Sequence, residues 1–215
     1  MKQLFSSACL FLAAMSTSFA QTIPNYKDAQ LCTNAYNRLW NLYDTVKSEH
    51  RQDSAAQIAI FSTEFPKILT PDFKITFTNL PTAPNSDQVY PPIIAQGIPE
   101  VVQVAAVQLP SWGQHHVASP FSFKTLSSST TYKTRVYQMT TRDIDFGNLE
   151  GNQGCATFLA QKSTTCIVKN TGGPFSTRKA MLSNINANVV TTFVMPLPNC
   201  TLWIAAPVED FPTES

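Results

Sequence analysis

The chain predicts an α+β domain, and three observations carry that reading. Apolar residues recur at helical spacing through the first third. The period then changes to two at Asp72–Thr78. Nearly everything after Trp112 alternates as β-strands do.

Taken in order, the first twenty residues read as an export signal. Lys2 supplies the positive start, Leu4 to Met15 is mostly apolar, and Ser18-Phe19-Ala20 places small residues for cleavage after Ala20. The apolar run is too short to span a bilayer, and no later run is long enough. About 195 residues then remain, enough for a single domain over 21–215 with a full core. From Asp28 the positions Leu31, Ala35, Leu39, Leu42 and Val46 form an amphipathic stripe that Tyr36, Trp40 and Tyr43 widen. Asp53-Ser54 opens a second helix, with Ala56, Ile60 and Phe61 inward and Pro66 near its end.

Phe73, Ile75 and Phe77 alternate with Lys74, Thr76 and Thr78, a strand with one buried face. Pro81 to Pro92 is loop. Gly97 and Pro99 introduce a third helix over Ile98–Leu109. His115 to Phe123 and Thr131 to Thr141 are strands, followed by a polar, acidic connection from Thr141 to Asn152. Ala156–Gln161 and Thr165–Lys169 form a hairpin, and Gly172-Gly173-Pro174 breaks the chain. Val189–Met195 and Thr201–Ala206 close it, joined by a turn at Pro196–Asn199.

Composition excludes some partners. Cleavage removes only Lys2 from 15 basic residues, leaving 14 against 14 acidic ones. A net charge near zero gives nucleic acid no electrostatic footing, and no Lys/Arg-rich amphipathic helix addresses a membrane surface. Cys32, Cys155, Cys166 and Cys200 survive cleavage, an even number that favours two disulfides in a secreted or periplasmic protein. Of three pairings, Cys155–Cys166 across a local hairpin and Cys32–Cys200 between the first helix and the last strands are preferred. No C-x-x-C spacing suggests zinc.

Two N-terminal helices, the strand Leu69-Thr70-Pro71-Asp72-Phe73-Lys74-Ile75, the helix Gly97-Ile98-Pro99-Glu100-Val101-Val102 and the closing Leu202-Trp203-Ile204-Ala205-Ala206 together resemble the NTF2-like (SnoaL-like) superfamily. The resemblance implies a cone: N-terminal helices packed in a curved antiparallel sheet, with a pocket at its wide end. Gly147–Ser183 has no counterpart in a minimal member and is expected to be an insertion or elaborated hairpin. Family members isomerise, hydrate, dehydrate or cyclise small apolar molecules, or serve as binding and assembly modules. The expectation is therefore an exported domain that binds a small apolar ligand or a protein partner, possible partners including a second copy through the sheet face. A different β-rich sandwich or barrel, with the helices outside, is the alternative architecture.

The competing functional expectation is a SnoaL- or ketosteroid-isomerase-like enzyme. His116 is its candidate proton carrier, since adjacent His115 points to the other face of a strand. Asp72, at the entry to the first strand, is a candidate base if an apolar pocket raises its pKa. Tyr43, with Tyr36 on the same helix, is a candidate donor to an oxyanion. Each has an ordinary structural reading as well: a satisfied histidine, a turn aspartate after Thr70-Pro71, and core aromatics. Asp143 and Asp145 alternate on one side of a strand end and suggest acid–base work or Ca²⁺ only weakly. No metal or cofactor is expected. There is no G-x-S-x-G, P-loop, H-E-x-x-H or dinucleotide fingerprint. Asn199-Cys200-Thr201 has the form of a glycosylation sequon.

Overall fold

A computed structural model describes residues 25–50, 53–79, 89–108, 115–118, 121–129, 133–148, 155–170 and 177–195. Helix α1 spans Tyr26–Glu49, somewhat beyond the amphipathic stripe that predicts it. The Asn25 side chain accepts the Lys27 N–H at 3.0 Å, which satisfies one of the free donors of the first turn. Its buried side includes Asp28, Cys32, Tyr36, Trp40, Tyr43 and Lys47, three or four residues apart throughout. Helix α2, Ser54–Glu64, starts where Asp53 accepts the Ala56 N–H at 2.9 Å and gives way to a 3₁₀ turn at Phe65–Lys67 containing Pro66.

The strands are β1 Leu69–Thr78, β2 Ile93–Gln96, β3 His115–Ala118, β4 Ser122–Ser129, β5 Thr134–Asn148, β6 Cys155–Asn170 and β7 Arg178–Met195. Their order in the sheet is β2-β1-β7-β6-β5-β3, with β4 also on β5. All pairs are antiparallel except β1 with β7. Helix α3, Ile98–Gln103, continues into a wider π turn at Val104–Gln108. Gly97 starts α3 at φ 79°, a conformation that a side chain disfavours, and its N–H donates to the Phe73 carbonyl at 2.8 Å. Phe73, Ile75 and Phe77 of β1 point into the core beside Phe61, Phe65, Val101 and Val102. The α+β class is the one expected, with α1 laid against β7, β6 and β3 and α3 against β1.

Several elements differ from expectation. The stretch His115–Phe123 is two strands that share one edge of β5: β3 pairs with 143–146 and β4 with 134–140. The acidic connection after Thr141 is instead the second half of β5. The expected hairpin at 156–169 is one uninterrupted strand of 16 residues, because Lys162 and its polar neighbours find partners across the sheet rather than turning. The segment 147–183 thus contains all of β6, a central strand. Strand β7 is likewise longer than Val189–Met195. The export signal, most of the Pro81–Pro92 loop, Gly172–Pro174, Cys200 and Thr201–Ala206 lie outside the described residues.

The disulfide pairing needs correcting for the same reason. Cys155 and Cys166 sit at the start and within one extended strand, which separates them by about 36 Å at the usual rise per residue. A disulfide requires Cα atoms roughly 4.4–6.8 Å apart. Cys166 is instead bonded to Cys32, with Cα atoms 5.9 Å apart and a sequence separation of 134. That bond also removes Cys32 from the expected Cys32–Cys200 pair. It ties the second turn of α1 to β6.

A second tie lies one turn earlier. Asp28, almost fully buried, accepts from Tyr137 Oη at 2.7 Å, Arg135 Nη1 at 2.9 Å and Arg178 Nη1 at 2.6 Å. Burial alone would raise its pKa, but the hydrogen bonds from Tyr137 and Arg135 and the Arg178 charge outweigh it and hold the carboxyl below its ordinary 3.8.

Two outcomes follow for stability. Replacing Cys32 and Cys166 by serine should cost about 5 kcal/mol in the chain-entropy account of a loop this long, read by urea unfolding under oxidising conditions. Asp28's contribution is complete above its unfolded pKa and is lost as pH falls through its lower folded value. Asp28→Asn should therefore flatten the acid limb of a stability–pH curve below about pH 5, measured by the same unfolding midpoint.

Candidate functional site

Further along the interior face, the sheet places a charged pair beneath α1. Met139, Thr141 and Asp143 take successive inward positions on β5, and all three are buried. Lys162 of β6 pairs with Thr141 in the ladder, so it is the diagonal neighbour of Asp143 on the same face. Lys162 Nζ reaches Asp143 Oδ2 at 2.9 Å, and both side chains are essentially inaccessible to water. Tyr36 of α1 donates its hydroxyl to that same oxygen. Trp40, one turn on, lays its ring 4.0 Å from the ammonium, a cation–π contact strengthened by the absence of water. Phe121 packs edge-on to Tyr36 at 5.1 Å between ring centroids.

The arrangement is lopsided. Two donors converge on Oδ2 of Asp143, while Oδ1 is buried and accepts no hydrogen bond among the described residues. An acceptor left in a low-dielectric interior is costly, so Oδ1 is the atom of the pair that still calls for a donor. The same oxygen can take a proton, with the Lys162 ammonium beside it to offset developing negative charge. Among the described residues no cluster of three His, Cys, Asp or Glu is arranged to hold a metal.

The three residues singled out from sequence lie in different surroundings. Asp72 is exposed, on the outward side of β1 with Lys74, while Phe73 turns inward. Tyr43 is buried two turns beyond Tyr36, stacked on Phe61 at 6.0 Å and edge-on to Trp40 at 5.9 Å. Asp72 and Tyr43 are thus not brought together. The backbone of His116 stands opposite Asp145, two positions from the Ala118–Asp143 pair, and its side chain lies outside the description. Lys162 is the residue that sequence reasoning passed over. Its signal was the alternation Ala160, Lys162, Thr164, Cys166, Val168, which puts the lysine on an apolar face once β6 is read as continuous.

Lys47, at the far end of the same stripe, is also fully buried and donates to the Ala106 carbonyl in the π turn at 3.1 Å. Burial pushes its pKa down from 10.5 to about 8.

No protein-family model matches the chain, and no curated protein matches its sequence. Solved structures do resemble it. Hexachlorocyclohexane dehydrochlorinase LinA type 3 from Novosphingobium barchaimii is similar at 15% identity over 81% of this chain and 95% of that one, with a TM-score of 0.43. An uncharacterised protein with a cystatin-like fold from Caulobacter vibrioides matches at 13% identity over 74% and 90%, TM-score 0.38. A ketosteroid isomerase-like protein from Erwinia carotovora matches at 12% identity over 75% and 95%, TM-score 0.35.

The buried lysine at position 47 has a pH signature of its own. Between pH 8 and 10.5 the unfolded chain holds this proton and the folded chain releases it, so the site's contribution to stability rises with pH across that window. Lys47→Met should lack that rise, so the parent's unfolding midpoint minus the variant's should increase with pH across the same window.

Proposed function

We propose that this chain is an exported, disulfide-bonded NTF2-like domain that captures a small, mostly apolar molecule carrying one hydrogen-bond donor, anchored on Oδ1 of Asp143. One observation carries the reading: a fully buried carboxylate whose first oxygen is occupied by Tyr36 and Lys162 and whose second has no partner among the described residues. Trp40 over the Lys162 ammonium and Phe121 against the Tyr36 ring make the surroundings of the pair apolar, which suits an apolar body. Export is supported by the sequence of the first twenty residues and by the Cys32–Cys166 bond, which persists in oxidising compartments. No helix among the described residues is long and apolar enough to cross a membrane.

The same oxygen favours a second reading, proton abstraction from a small carbon acid, with Asp143 as base, Lys162 as the neighbouring charge and Tyr36 as hydrogen-bond donor. The two readings share a site and differ in whether a bond to hydrogen breaks.

Removing Asp143 alone would strand a buried ammonium, so the informative variant is the pair Asp143→Asn with Lys162→Met, which removes both charges together. Titrating p-nitrophenol and following its absorbance should show saturable binding to the parent. The double variant should bind about tenfold more weakly or worse, the size expected for losing one charge-assisted hydrogen bond. Unchanged affinity in a variant that still unfolds cooperatively would sink the capture reading. Deuterium uptake into cyclohexenone in D₂O, followed by NMR, separates the second reading: catalysed exchange that disappears in the double variant supports it, and exchange at the buffer rate argues against it.

A further inference from the structure

At the opposite end of β5 from Asp143 the interior face of the sheet opens into a cleft of about 330 Å³. Arg135 and Asp143 are eight positions apart on this strand, about 27 Å at the usual rise, so the cleft is a separate place. Its lining includes Asp28, Ser128, Lys133, Arg135, Asn170 and Arg178. Three cations face one carboxylate there, an excess of two positive charges.

The cleft is built rather than incidental. Arg135 stands opposite Val168, and Arg178 opposite Asn170, so as the sheet leaves the core the inward positions turn from apolar to cationic on β5 and β7 and to a neutral amide on β6 between them. Asp28 takes one Nη1 from each arginine, which fixes both guanidinium groups without exhausting them. Each has five N–H donors in a planar fork suited to an oxyanion. Both arginines remain more than a third exposed, so their outer edges meet solvent. Lys133 completes the rim from the turn between β4 and β5, held at φ 49°, which is unusual for a residue with a side chain. Its carbonyl accepts the Asn170 N–H at 3.1 Å, which ties that turn to the end of β6.

We propose that this cleft binds a small dianionic solute through its oxyanion groups, either a phosphate or a dicarboxylate. The excess of two charges sets the ligand's charge. The two anchored forks set the geometry, and the volume sets the size of a small molecule. The buried Asp28 forms the floor and keeps both arginines in place when the ligand is absent.

The test uses the full chain and two probes, inorganic phosphate and succinate, followed by isothermal titration and by thermal unfolding at constant ionic strength. Saturable binding of one or both is expected, and which of them binds identifies the chemistry. Lys133→Gly removes a cation at a backbone position that glycine adopts without strain, so the fold should be kept while affinity falls about tenfold. The Asp143→Asn, Lys162→Met double variant should bind these probes as the parent does, which separates this site from the interior one. Chloride giving the same stabilisation at matched ionic strength, or affinity unchanged by Lys133→Gly, would overturn the proposal.

Discussion

The bond between Cys32 and Cys166 holds a long helix at one register against the sheet, and the rest of the interior depends on that register. Sliding α1 by one turn would carry every inward side chain about 5.4 Å along the sheet. Each of those side chains meets the strands with different chemistry. Asp28 pairs with two arginines, Cys32 is covalently bonded, Tyr36 donates to a carboxylate, and Trp40 covers an ammonium. None of these contacts tolerates a neighbour's partner. The helix is therefore positioned by specificity as much as by apolar burial.

Placing Asp143 and Lys162 in the interior carries a desolvation cost of several kcal/mol for each ion, which their mutual attraction repays only when the remaining polar atoms are satisfied. Here the account is incomplete at one carboxylate oxygen. A purely structural pair would be better served by apolar residues of similar volume. The basic cleft follows the opposite logic, since its carboxylate is fully engaged and its cations keep donors toward solvent. One strand, β5, thus carries a buried acceptor near one end and an open set of donors near the other.

Much of this architecture was legible in the sequence because periodicity reports one-sided burial. The stripe on α1, the Asp53 cap and the Phe73–Ile75–Phe77 alternation all appear where they were read. Reading failed where a polar stretch lies inside a long strand. Gln161 to Thr165 looks like a turn locally, and only pairing with β5 and β7 makes it extended. A hairpin there would bring Cys155 and Cys166 together and turn Lys162 to solvent, whereas the continuous strand sends Cys166 to Cys32 and Lys162 inward. Tyr36 and Asp143 were visible as residue types, but their meeting joins positions 107 apart in sequence and has no local signal.

The lengths of the strands also bear on how the molecule avoids its own kind. The three longest, β5, β6 and β7 with 15, 16 and 18 residues, would each offer an extended template for edge-to-edge growth if left bare. Two of them are interior to the sheet, and the free side of β5 is capped by two short strands of 4 and 8 residues placed end to end. The covering strand β4 is rich in serine, bears Lys124 and is irregular between Thr125 and Ser127. Short, polar and irregular borders of this kind discourage the stacking of copies into fibrils, so the split that interrupts β3 and β4 works as insulation for the long strands behind them.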